Sequence, residues 1–445
     1  MASDLLSIAR SGTKAARIAL DVAAQNIANA SSEGYVRRSV RLEEVASSGG
    51  FGRIGDVSLS GVRLDRVVRN ADVFRQTEVR RTGADAARAG AEVAGLENIE
   101  AAIEQSNVFA SIVSFEGALQ QLASDPVDPS LRAAVVEDAR TMARTFNLAS
   151  TSLEAAGANL RFEAADGVEQ VNLLGSELAR VNLRLARAAD ASSDQTALLD
   201  QRDLLLQQLS EYTDVTATIA VDQTVEVRLA GAAGPVLVGS GTSGTLAMTT
   251  APDGTISFNL DGTAVSPSAG SLTGKAQALE KLVDVRTGLD AIAADVISTV
   301  NTAQTNGATL DGSAGTPMFS GTGAADMVLA FEDGALIATA PAGAGANSRD
   351  ASNLAAMRNA LGLSDPAGSM DGLLFDISST VAGRSVTRDA LESIAGSARI
   401  TLQAQAGVDL DEEAVNLIRF QQAFEASGRV MQVANDLFDT LLGIR

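Results

Sequence analysis

The sequence predicts a mainly α protein of nested, discontinuous domains: a long helical coiled coil formed by its N- and C-termini, a helical layer inside it, and an inserted small all-β domain. Three observations predict this. Apolar residues at both ends recur at alternating steps of three and four, the spacing of a coiled-coil seam. Between about Thr213 and Ser271 the apolar period changes from helical to alternating, and after Lys275 it returns to helical. Ala-rich helical stretches lie on both sides of that change, so the same kinds of element are met inward from either end.

In chain order, Leu5, Ile8, Gly12, Ala15, Ala19, Val22 and Asn26 make the first seam, with Leu20 and Ile27 beside it, on one helix over residues 3–30. Asn29, Ser31, Ser32 and Gly34 are turn formers, and Gly34 before Tyr35 marks a sharp exit into an extended stretch. Residues 56–69 read as a strand pair or an extended segment. A long helical region follows, reaching about Ala123, where Pro126 and Pro129 break it. Residues 130–211 read as two helical stretches joined near Gly157. The β insertion alternates through Val215, Ala217 and Ile219, then Val225, Val227 and Leu229, then Ile256, Phe258 and Leu260. Asp253-Gly254 and Asp261-Gly262 are hairpin turns by sequence. Lys275–Asn301 is a heptad helix. Residues 307–346 form either a loop-like excursion or a small hairpin subdomain, and helices over 351–361 and Leu373–Ala406 precede the terminal one.

The terminal stretch, Gly407–Arg445, carries a seam through Leu410, Ala414, Leu417, Gln421, Phe424, Gly428, Met431, Asn435, Phe438 and Leu442. A second apolar line runs through Val415, Ile418, Val430, Val433, Leu437, Leu441 and Ile444, so this helix is apolar over more of its circumference than a surface helix needs. Asp409 is placed to cap it, and Asp411, Glu412 and Glu413 put charge where the helix dipole favours it. Either the two ends pair with each other, or each packs separately on a globular core. On the paired reading the domains are 1–50 with 405–445, 51–212 with 273–404, and a β-rich insertion at 213–272.

The chain has no Cys, His or Trp and only two Tyr, at positions 35 and 212. A Ser-His-Asp or Cys-His pair, a His general base and a thiolate or imidazole metal site are therefore impossible, and no catalytic, cofactor-binding or metal-ligating residues are assigned. The formal net charge is −21, placed unevenly: of 34 Lys and Arg and 55 Asp and Glu, residues 1–90 hold 14 and 10. An acidic bulk without an aromatic-basic patch argues against nucleic-acid binding. No apolar run is long enough for membrane insertion, and the first twenty residues do not resemble a cleavable signal peptide.

Asn26, Asn29, Gly34, Tyr35 and Arg37 resemble the N-terminal signature of bacterial flagellar axial proteins, the rod, hook and hook-associated proteins; Ser32 and Arg38 stand where Thr and Gln are usual. Gly61, Val62, Arg69, Asp72 and Phe74 are similar to the same group's strand and helix start. The run Asp200-Gln201-Arg202-Asp203 and the stretch Asn416–Phe424 with Phe438–Leu442 resemble the hook-associated protein 1 family in particular. The Asp-Gln-Arg-Asp run itself reads as a solvated helix face or an inter-helix network, without chemistry. The resemblance implies a non-enzymatic junction protein between hook and filament. It would form a ring with copies of itself and contact the hook protein and the second hook-associated junction protein. It also implies an export chaperone on the C-terminal segment, and a place outside the cell in the flagellum, reached by type III export. The assembly interface would then comprise Leu5, Ile8, Leu20, Asn26, Ile27, Asn29, Gly34, Tyr35, Leu410, Leu417, Ile418, Phe420, Phe424, Met431, Phe438 and Leu442. The alternatives are another axial protein, a surface adhesin, and a cell-wall glycan hydrolase using the carboxylates Asp409, Asp411, Glu412 and Glu413. Capping accounts for those carboxylates without a cleft.

Overall fold

The computed structural model describes residues 2–32, 34–46, 59–189 and 193–443. It divides into two compact units: Met1–Ala84 with Val171–Thr245 and Glu392–Arg445, and Asp85–Gln170 with Leu246–Leu391.

In the first unit, α1 (Ala2–Ala28) lies along α9 (Leu410–Gly443). The two ends do pair. They run antiparallel: a Cβ on Gly12 would meet Ser427 Oγ at 2.8 Å, while the chain just beyond α1 bonds to the start of α9 through Arg37 and Glu413. The buried face of α1 is built of small residues, Ala9, Ala15, Ala16, Ala19, Val22 and Ala23, which allow close helix approach. Asp409 caps α9 as expected, its Oδ1 accepting from the backbone N–H of Asp411 at 2.9 Å and Glu412 at 3.2 Å.

Against α1 packs an antiparallel hairpin, β1 (Arg38–Ala46) and β2 (Leu59–Arg69). Of the stretch expected as a strand pair or an extended segment, residues 59–69 form a single extended strand whose partner is the stretch after Tyr35, and 56–58 lie outside the described residues. Gly61 is required there: its φ is +97°, and a Cβ would lie 2.1 Å from Ser11 Oγ, which accepts from Val62 N–H at 3.1 Å. The unit also holds α5 (Ser193–Tyr212) and the sheet β3 (Val215–Ile219), β4 (Val225–Leu229) and β5 (Val236–Val238). Buried Asn182 anchors that sheet, its Nδ2 donating to Val225 O at 2.7 Å and Gly239 O at 3.0 Å, its Oδ1 accepting from Val225 N at 2.9 Å.

The second unit is a helical body of parts of α2 (Val73–Glu104), α4 (Pro129–Leu185) and α8 (Pro366–Ala406), with α3 (Val108–Leu122), α6 (Ser271–Thr305) and α7 (Ser352–Ser364). Leu96, Ile99, Ile112, Phe115, Phe146, Leu289 and Phe319 belong to its core. Within that core Arg132 is 1% exposed and donates to Pro126 O, Gly334 O, Ile337 O and Thr339 Oγ1 at 2.7 to 2.9 Å. The excursion over 307–346 is therefore pinned to α4, with two short strand pairs of its own.

Two helix boundaries differ from the sequence expectation. The region ending near Ala123 is two helices, broken at Asn107, whose φ is +58°. Conversely α4 passes straight through Gly157, which packs against Leu282, and the interruption falls after Leu185 instead. A lone Gly costs a helix about 1 kcal/mol, less than the flanking burial supplies. The insertion at 213–272 forms two separate three-stranded sheets, the second being β6 (Leu246–Thr250), β7 (Ile256–Leu260) and β8 (Thr263–Val265) in the second unit. Asp261 and Gly262, with φ of +50° and +83°, make the β7–β8 turn.

Candidate assembly interface

The signature after α1 folds into a polar joint. Asn26 is 1% exposed and uses its whole amide: Nδ2 donates to Arg38 O at 2.8 Å, and Oδ1 accepts from Arg38 N at 3.0 Å and from Tyr35 Oη at 2.8 Å. Gly34, at φ +75°, makes the turn that brings Tyr35 back. Arg38 lies over the Tyr35 ring, 5.1 Å from its centre. Asn29 donates to Gln25 O at 2.8 Å and so closes the last turn of α1. Next along the chain, Arg37 N donates to Ala406 O at 2.9 Å, and the Arg37 guanidinium reaches Glu413 at 2.7 Å and Glu412 at 2.9 Å. Two of the carboxylates considered for hydrolysis thus hold α9 to the other end of the chain.

Behind the joint lies the Asp200–Asp203 run, on α5. Asp200 takes Arg38 at 3.1 Å and Arg69 at 2.7 Å. Asp203 takes Arg69 at 2.9 Å, Arg202 at 2.7 Å and the Gln76 amide at 3.0 Å. The run is an inter-element network, with Gln201 donating outward to Glu177. Burial pushes the Asp200 carboxyl above the usual carboxylate range, with Arg69 and Arg38 pulling against it. Burial opposes the charge of Asp203 too, but Arg202 and Arg69 together hold that carboxyl below the usual range. Burial likewise raises the Tyr35 phenol, partly offset by Arg38.

The apolar residues named from sequence divide. On α9, Leu417, Phe420 and Met431 are half-buried, whereas Leu410, Ile418, Phe424 and Phe438 are exposed; the side chain of Leu442 lies outside the described residues. On α1, Leu20 and Ile27 are half-buried, whereas Leu5 and Ile8 are exposed. The stripe covered on α9 runs through Glu413, Asn416, Leu417, Phe420, Ser427, Gly428, Met431 and Ala434, so it shares Leu417, Gly428 and Met431 with the expected seam and is otherwise shifted to one side of it. The second apolar line is left open: Val415 is 66% and Ile418 55% exposed, with Val430, Val433 and Leu437 exposed beyond them. Missing from the sequence reading were Arg38, Arg69 and Glu413 as partners. No local signal marks them, since Arg38 and Arg69 lie in charge-rich strands and Glu413 in an acidic first turn.

Three family models match the chain. The helical domain of flagellar hook-associated protein FlgK covers residues 93–319. The chain belongs to the FlgK family of flagellar hook-associated proteins. Its ends match models shared with other axial proteins: flagella basal body rod protein over residues 6–35, and the C-terminal part of the basal body rod FlgEFG proteins over 403–444. Flagellar hook-associated protein 1 of Bacillus subtilis (strain 168) is 26% identical across 98% of this chain and 97% of its own. That of Salmonella typhimurium (strain LT2) is 25% identical with both chains fully covered. A solved structure titled as the flagellar hook junction protein FlgK from Burkholderia pseudomallei overlays 54% of this chain and 46% of its own at TM-score 0.46 and 24% identity. Within this FlgK-family chain, among the described residues, no group of acidic side chains could hold a metal ion, and no helix is long and apolar enough to cross a membrane.

Proposed function

We propose that this FlgK-family chain is the first junction ring between hook and filament, joined through its paired terminal helices. One observation carries the reading: α9 is held to α1 along one stripe while a second apolar line, from Val415 to Leu437, faces solvent. Two exposed apolar clusters on one helix, Val415 with Ile418 and then Val430, Val433 and Leu437, mark an interaction surface. Burying each Val, Ile or Leu of that line would contribute about 1.5–3 kcal/mol, offset by the entropy of ordering.

The interface on this reading includes Leu5, Ile8, Leu410, Ile418, Phe424 and Phe438, which are exposed, with Asn26, Gly34 and Tyr35 shaping the joint behind them. Its partners are further copies of the chain in a ring, the hook protein on one side and the second hook-associated protein on the other. An export chaperone covers the C-terminal segment until assembly, and the chain leaves the cell by type III export without a cleaved signal. The division into terminal coiled coil, helical domain and β insertion belongs to the same reading.

Electron microscopy of cells lacking the chain, with flagellin assayed in the medium, tests it. Complete hooks without filaments, and flagellin lost outside, are expected. Truncated or missing hooks would move the chain inward to hook or rod, and normal filaments would refute the junction role.

A further inference from the structure

The first unit contains a buried cation that its network does not use. Arg80 is 8% exposed, and its hydrogen bond runs back along its own helix, Nη2 donating to Thr77 Oγ1 at 2.8 Å. Among the described residues no carboxylate pairs with it. Asp203 acts on it only at longer range, and the oxygens of Asp203 are already taken by Arg202, Arg69 and Gln76. A guanidinium stays charged in a protein interior, so a buried one without a counter-ion is costly to the fold.

Beside Arg80 lies a cavity of about 350 Å³. Its lining is rich in donors: Arg80, Arg399, Gln76, Gln207, Gln403 and Ser32. Arg399 is drawn only weakly elsewhere, its pairing with Glu211 being 3.8 Å long and half exposed. The one carboxylate among the lining residues described is the already neutralised Asp203. Such a space holds a side-chain carboxylate or a phosphate, and a planar fork such as Arg80 matches either.

We propose that this cavity binds an anionic oxygen group of carboxylate or phosphate size, held by Arg80 with Arg399 and the glutamine amides as further donors. The ligand chemistry is the same whether the group is a free anion or an acidic side chain of another copy of the chain. The site does not depend on the junction role.

The test uses inorganic phosphate on the full chain at constant ionic strength. With no Trp, and Tyr35 and Tyr212 both in the first unit, tyrosine fluorescence follows melting of that unit alone. Phosphate is expected to raise the melting temperature of the wild type, Arg80→Gln to abolish the rise and Arg399→Gln to reduce it. Arg80→Lys keeps the charge and retains a smaller rise, which separates loss of binding from loss of folding. The titration is repeated in Glu33→Gln, because Glu33 is the acid between Ser32 and Gly34 in sequence and lies outside the described residues; binding seen only there would overturn the site, since Arg80 would then be neutralised by its own chain. Equal rises in wild type and Arg80→Gln, or no rise in either background, would overturn the site. Binding lost on assembly identifies a carboxylate of a neighbouring copy, and binding kept in both states identifies a free anion.

Discussion

At the scale of single residues, Asn26 bears more than its size suggests, since it satisfies one carbonyl, one amide and one phenol in a place closed to water. Asn26→Ala leaves those groups unpaired, each at about 1–3 kcal/mol, and should cost the first unit about 3 kcal/mol in denaturant melts followed by tyrosine fluorescence. The two aspartates behind it should behave differently. Burial opposes the charge of Asp200, so Asp200→Asn should cost less than Asp203→Asn, although it removes the carboxylate that Arg38 pairs with. Asp203 is favoured as the anion, and Asp203→Asn leaves the buried Arg202 without its carboxylate, at about 3 kcal/mol; the same melts rank the pair. On acidification, the contribution of Asp203 is present above its unfolded value of about 3.9 and fades as pH falls through its lower folded value. For Tyr35 the sign reverses: the protonated phenol supports the fold fully below about pH 10, and that support is lost as pH rises through the higher folded value. Asn26 and the Asp200–Asp203 run could be named from sequence because they sit in recognisable patterns. Their meeting could not, because Asp200 lies 131 positions from Arg69 and 162 from Arg38, and spacing carries no information across such a gap.

At the scale of elements, the fold is set by where backbones come close. Gly274, in the first turn of α6, would place a Cβ 2.1 Å from Arg88 O and 2.8 Å from Glu92 N on α2. No side-chain rotation relieves a clash with backbone, so Gly274→Ala should lower the stability of the second unit by about 3 kcal/mol or more, with the tyrosine signal of the first unit little changed. Circular dichroism melts show the former and fluorescence the latter. Sequence periodicity located the long helices and three of the insertion's six strands, β3, β4 and β7, because those signals are local and repeated; β5, β6 and β8 carry no such alternation. It misjudged breaks. Gly157 looked like a joint and Asn107 did not, yet burial against Leu282 carries the helix through the first, while a left-handed residue ends it at the second. The pairing of β1 with β2 was also hidden, since each alternates weakly and their partnership spans residues of no clear pattern. On α9 the heptad count gave the right helix and the right partner but an offset stripe. Two apolar lines on one helix compete for α1, and the partner's small residues and the Arg37–Glu413 pair decide which line is covered.

For the whole molecule, that offset leaves the chain with an incomplete face. The line through Val415, Ile418, Val430, Val433 and Leu437 adds nothing to the isolated fold while it meets water, so polar substitution there should leave the monomer as stable as before. On the proposed junction role assembly is another matter, because each of these side chains would leave water against a neighbouring copy, and a buried unpaired carboxylate is prohibitive there. Ile418→Asp and Val433→Asp, singly and together, should therefore keep wild-type melting in solution, yet yield cells that bear hooks and shed flagellin. Hydrogen exchange on the isolated chain gives the complementary reading. Amides of α9, with one side open, should exchange well before those of α3 and α6, which are packed into the second unit's core, and protection of α9 should rise on assembly. Equal protection of α9 and α6 in the monomer would mean that the terminal pair is complete by itself. In that case the two aspartate variants should assemble normally, and the apolar line would have to be explained without a neighbour.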